Sequence, residues 1–161
     1  MLQLAADIGT RIITPVHQSL PFGDGVVAYY LSLGTIAQET RFGELSQEHN
    51  GPAHGLWSME PFTHDDCWTN WLAFKPTIAA IGRSWMIPSV SGITQLDGNL
   101  FYAAFMARIK YRRAPAPLPA TPDPASLGAY WKEWYNSSGG AGTVDEFIAN
   151  FNELIGTSSI A

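Results

Sequence analysis

The sequence predicts a mainly α-helical single domain. Its length of 161 residues suits one hydrophobic core. Between frequent Gly and Pro breaks the apolar residues recur at helical spacing, and no run alternates cleanly enough for a strand. One segment, Val26 to Gln38, is apolar all the way round, which marks a helix buried in the middle of a domain.

Taken in order, Leu2 to Leu20 reads as one helix or two short ones, with Pro15 restricting the middle. Leu20-Pro21-Phe22-Gly23-Asp24-Gly25 breaks the chain, and Asp24 is placed to cap the buried helix that follows. Arg41 to Pro61 is a long loop containing Gly and Pro, a length that inside a compact domain points to function. Helices are expected at about His64 to Phe74 and Pro76 to Trp85, with Asp97-Gly98 as a turn signal. Asn99 to Arg113 is an amphipathic helix whose cations gather at its C-terminal end, where they suit the helix dipole.

Five prolines between Ala114 and Pro124 require extended, polyproline-like chain. A helix around Ser126 to Tyr135, a Gly-rich break at 139–142, and a last helix opened by the capping-box pair Thr143 and Glu146 complete the chain. The expected organisation is a core at 1–113, a Pro-rich strap at 114–125, and a small C-terminal helical segment at 126–161 packed on that core.

Composition narrows the function. Nine Lys and Arg against fourteen Asp and Glu leave a net charge of −5, which argues against a protein held on nucleic acid by phosphate contacts. Charged residues are only 14%, against roughly 25% in soluble domains, so a partner or a large groove is expected to account for part of the surface. Cys67 is the sole cysteine and cannot form an internal disulfide. No signal peptide is evident at the start, and no stretch reaches the ~20 apolar residues that span a bilayer, so no membrane insertion is expected.

Glu39 is the first chemical candidate. It falls where the buried helix ends, and both the negative pole of the helix and apolar burial raise a carboxyl pKa. A carboxyl kept protonated near neutrality can protonate the leaving oxygen of a glycosidic bond. A frayed helix end with a solvated Glu is the plain alternative.

The residues downstream change that balance. Gln38-Glu39-Thr40-Arg41-Phe42, followed by Gly51-Pro52-Ala53-His54-Gly55-Leu56-Trp57-Ser58-Met59-Glu60-Pro61, resembles the signature of the lysozyme-like superfamily, nearest to soluble lytic transglycosylases and goose-type lysozymes. There a catalytic Glu-Ser pair ends a buried helix, and a Gly-Ala-x-Gly-Leu-Met-Gln-like stretch with a nearby Pro lines the cleft. Ala53, Gly55, Leu56 and Pro61 match, while Thr40 stands for Ser, Trp57 for Met and Ser58 for Gln. Asn99-Leu100 before an Ala-rich helix is similar to the family's Asn-Ile motif, and Tyr135-Asn136-Ser137-Ser138-Gly139 to its Tyr-Asn-x-Gly motif.

The resemblance implies a lysozyme-like fold, cleavage of the β-1,4 bond between N-acetylmuramic acid and N-acetylglucosamine with Glu39 as general acid, and peptidoglycan glycan strands as partner. It implies substrate contacts at Gly55, Trp57, Ser58, Tyr135 and Asn136, and no cofactor. A fainter similarity to lysozyme-like proteins of bacterial viruses adds virion structural proteins as partners, with a place in the virion or in the host cytoplasm before release. On physical grounds Gly51 and Gly55 would let backbone approach a sugar, and Trp57 would stack on a pyranose face.

Glu60 is the second acidic candidate, able to activate water or stabilise an oxocarbenium-like state. Its plain alternative is a helix-entry acid beside Pro61. Glu44, Glu48, Asp65 and Asp66 are further acids. His49, His54, His64, Asp65, Asp66 and Cys67 crowd together, but their spacing matches no compact zinc motif, so no metal is expected. Two functions of other classes stay open: a non-catalytic structural or adaptor protein of a large assembly on a lysozyme-like scaffold, and a metal hydrolase using the His-rich loop.

Overall fold

In a computed structural model the protein is described over residues 1–22, 25–43, 51–136 and 140–156. It is mainly helical, with no strand among the described residues. The N-terminal helix runs as α1 (Leu2–Ile8), a π-helical turn (Gly9–Ile13) and α2 (Thr14–Gln18), with helical backbone throughout. Pro15 explains the wide turn: its ring crowds the carbonyl four residues back and it offers no N–H. The Thr14 hydroxyl instead donates to the Gly9 carbonyl at 3.0 Å.

The buried helix forms as expected, as α3 (Gly25–Glu39). The stretch from Tyr30 to Ala37 is buried on every side, walled by α7 (Leu100–Arg112), α8 (Pro124–Trp131) and α9 (Val144–Leu154). Close approach of α9 depends on Gly34, where a Cβ would stand 2.4 Å from the Phe147 ring. Thr35, buried in this apolar wall, gives its hydroxyl to Leu31 at 2.8 Å and shares a 2.7 Å hydrogen bond with the Tyr111 hydroxyl. The proposed cap Asp24 lies outside the described residues.

The remaining elements follow their punctuation. α4 (Pro61–Asn70) starts three residues earlier than predicted because Pro61 takes the first helical position, where its missing N–H costs nothing. It ends before Trp71, and Leu72–Phe74 forms a separate 3-10 turn. α5 (Pro76–Ser84) matches the reading.

α6 (Gly92–Gly98) is a helix that the sequence does not announce beyond the Asp97-Gly98 turn signal at its end, since its flanking glycines hide it. Ser91 caps it by accepting from Thr94 N–H. Asn99 caps α7 and donates its amide to the Trp85 carbonyl at 2.8 Å.

The strap is pinned by the Tyr130 hydroxyl, which donates to the Ala116 carbonyl at 2.9 Å. Asp123 caps α8 two residues earlier than expected, and α8 ends in a second π-helical turn, Lys132–Asn136. The capping box of Thr143 and Glu146 opens α9. Trp131, Phe147 and Phe151 belong to the same core as Leu31, Leu33 and Ile36, so the C-terminal segment completes that core. No described helix is long and apolar enough to cross a membrane.

Candidate active site

Glu39 is the last residue of α3 and is half-buried. The indole N–H of Trp131 donates to its Oε1 at 2.9 Å. Burial pushes the carboxyl above its ordinary pKa; the Trp131 hydrogen bond and the Lys110 charge pull back only in part.

The helix stops abruptly after Glu39. Arg41 (φ 50°) and Phe42 (φ 62°) both adopt left-handed backbone, which costs roughly 1–2 kcal/mol for each non-glycine residue. Phe42 is held there by burial in the core. Arg41 is held by Asn150 and by a 2.7 Å ion pair with Glu153.

Two hydrogen bonds fix the downstream loop, the first to this helix end and the second to the π-helical turn Lys132–Asn136. The Thr40 hydroxyl donates to the Leu56 carbonyl at 2.9 Å, and the Tyr135 hydroxyl donates to the Trp57 carbonyl at 2.7 Å. The loop is a tight turn closed by paired backbone bonds between His54 and Met59, at 2.9 and 3.0 Å. Gly55 (φ 73°) and Ser58 (φ 44°) supply its left-handed corners. α6 fastens the other side, where the Asp97 carboxylate accepts from Gly55 N–H at 3.1 Å and pairs with His54 at 3.0 Å.

Several expected roles need correction. Trp57 has no exposed face for a sugar: it is 1% exposed, with its N–H directed at Ser32. Its large apolar surface and its position behind the turn draw it into the core. Gly55 does not leave space for a ligand, since a Cβ there would lie 2.0 Å from the Leu96 carbonyl oxygen. Tyr135 is buried and its hydroxyl is committed to Trp57. Asn136, half-buried, donates its amide to the Gly142 carbonyl at 3.2 Å. Ser58 is half-buried at the turn corner.

Glu60 is exposed at the start of α4, where no side-chain capping bond forms. Its charge reaches Lys110, as does that of Glu39. Glu44, Glu48, His49 and 137–139 lie outside the described residues.

The sequence reading missed two residues at this site. Trp131 carries no local pattern that sets it apart from the other tryptophans, and it reaches Glu39 across 92 positions. Lys110 was counted as a helix-end cation; it is instead half-buried, donates to the Tyr135 carbonyl at 2.7 Å and stands over the Tyr135 ring. Burial lowers its pKa to about 8, against the opposing pull of Glu39. Tyr111 and Tyr135, which feel the same Glu39 charge, are pushed well up by burial.

The crowded His, Asp and Cys residues are engaged separately. His64 bridges Asp65 and the Tyr102 hydroxyl, while Arg113 joins Asp66 and Cys67. No three potential metal ligands converge among the described residues.

The arrangement therefore defines a helical domain with a desolvated carboxyl at a strained helix end, where burial favours the protonated form. Comparison with protein-family models, curated proteins and solved structures finds no match for this chain.

Proposed function

We propose that this chain is a lysozyme-like glycosidase that cleaves the β-1,4 bond between N-acetylmuramic acid and N-acetylglucosamine in peptidoglycan, with Glu39 as general acid. The observation that carries the reading is a half-buried carboxyl at the end of a buried helix, hydrogen-bonded by the Trp131 indole, where burial favours the protonated form. Support comes from the Thr40–Leu56 hydrogen bond, which ties the Gly-Leu turn to the residue next to Glu39.

In this mechanism the Glu39 proton passes to the glycosidic oxygen as the C1–O bond breaks and its electron pair stays on that oxygen. Water then adds at C1 and gives up a proton to the Glu60 carboxylate, or the sugar's own 6-hydroxyl adds and returns its proton to Glu39. Glu60 is the second carboxylate in the first route, and its exposure suits contact with water. Glycan strands are the partner, and a bacteriophage virion, with its structural proteins, is the proposed setting.

Glu39→Gln is expected to keep the helical circular-dichroism spectrum and to lose turbidity clearance of purified peptidoglycan. Full clearance by that variant overturns the assignment. Mass spectrometry of the released muropeptides separates hydrolysis from a 1,6-anhydro product.

A second reading, a non-catalytic structural protein on the same scaffold, is favoured by the inward orientation of Trp57 and Tyr135, two of the expected sugar contacts. Wild-type protein that is inert on several peptidoglycan chemistries yet firmly retained in an assembly would support it.

A further inference from the structure

We infer that Trp131 is a positioning residue for Glu39, holding the carboxyl so that Oε2 carries the transferable proton while Oε1 serves as a fixed acceptor. The catalytic consequence rests on the general-acid reading above; the geometry does not. An indole N–H can only donate, and here it donates to Oε1 at 2.9 Å. A proton on Oε1 would compete with that donor, so the neutral carboxyl keeps its O–H on Oε2.

The indole is itself held in place. Trp131 is 1% exposed and packs on Phe147 with ring centroids 5.5 Å apart. Gly142 covers its outer edge, where a Cβ would stand 2.7 Å from Cη2. The residues flanking Glu39 and Thr40 are tied to α9 as well: Asn150 donates to Gln38 at 2.8 Å and accepts from Arg41. The acid is thus oriented by the last third of the chain, far from it in sequence.

Other titratable groups act on the same carboxyl. Lys110 and Tyr111 face it from α7 and Tyr135 from the second π-helical turn, while Glu60 acts on Lys110 from the start of α4. Among the described residues it is the Trp131 hydrogen bond that distinguishes one carboxyl oxygen from the other.

The test is an NMR titration. In wild-type protein the Trp131 indole 1H–15N resonance should move with the same midpoint as the Glu39 side-chain carboxyl carbon, and it should stay flat over that range in Glu39→Gln. In Trp131→Phe, which keeps the packing on Phe147, loss of a hydrogen bond that favours the carboxylate should raise the Glu39 midpoint by about one pH unit. The alkaline limb of kcat/KM on peptidoglycan should rise with it.

An indole resonance indifferent to the Glu39 midpoint overturns the inference; this arm needs no folded variant. A folded Trp131→Phe with an unmoved midpoint overturns it too. Coupled titration in a protein inert on peptidoglycan keeps the inference and removes the glycosidase reading. Activity with an uncoupled indole does the reverse.

Discussion

The hydroxyl of Thr40 donates to the carbonyl of Leu56 at 2.9 Å, so the residue next to Glu39 fastens the end of the central helix to a turn sixteen residues downstream. The same hydroxyl lies 3.2 Å from the Ile36 carbonyl of its own helix. A helix end followed by two left-handed residues is strained, and this buried bond helps to hold it in place.

Thr40→Val keeps the side-chain shape and removes the donor, withdrawing the hydroxyl's hydrogen bond from the buried Leu56 link. The expected cost is about 1–3 kcal/mol. Calorimetry should show a lower Tm, by roughly 2–4 °C per kcal/mol in a domain of this size. Thr40→Ser restores the donor and should recover most of the loss. Equal melting of the Val and Ser variants would refute the role of the hydroxyl.

Gly55 and Gly98 should respond oppositely to alanine. At Gly55 the backbone is left-handed (φ 73°) and a Cβ would fall 2.0 Å from the Leu96 carbonyl oxygen, so the turn must separate from α6. Gly55→Ala is expected to destabilise by more than about 2 kcal/mol, combining strain with a backbone clash. Gly98 meets nothing within 4 Å. Gly98→Ala should be neutral or stabilising by up to about 1 kcal/mol, because it restricts the unfolded chain. Urea midpoints of the two variants test the contrast.

Glu39 gives stability a pH dependence of definite sign. Its folded pKa stands above the ordinary glutamate value. Between those two values the folded chain binds more protons than the unfolded chain, so stability falls as pH rises through that window. The carboxyl's favourable contribution is complete below the ordinary value and gone above the raised one. Glu39→Gln does not titrate, so its stability relative to wild type should improve as pH rises from about 4 through the raised value. Urea unfolding of both proteins across that range checks this; a constant difference would mean that Glu39 is not desolvated.

Elements governed by local chemistry were legible in the sequence. The all-apolar run at Val26 to Gln38, Pro76 and the Thr143–Glu146 box each state a local preference, and each matches a helix or its start. The shift of α4 to Pro61 and the appearance of α6 are boundary and glycine effects of the same local kind. Trp57 was harder, because a tryptophan in a loop looks exposed until the loop folds back. Here Thr40, Tyr135 and Asp97 fold it back, and two of these come from segments more than forty residues away.

On its own, the sequence determined the helical class, the buried central helix and the position of Glu39 at its end, since apolar periodicity and caps act over a few residues. Only the tertiary structure decided that Trp131 hydrogen-bonds Glu39, that Lys110 lies half-buried near it, and that Gly55, Trp57 and Tyr135 are packed inward. Those outcomes depend on contacts between segments far apart in the chain. Which polar group meets which across such a distance is set by how whole helices pack, and no short-range pattern encodes it.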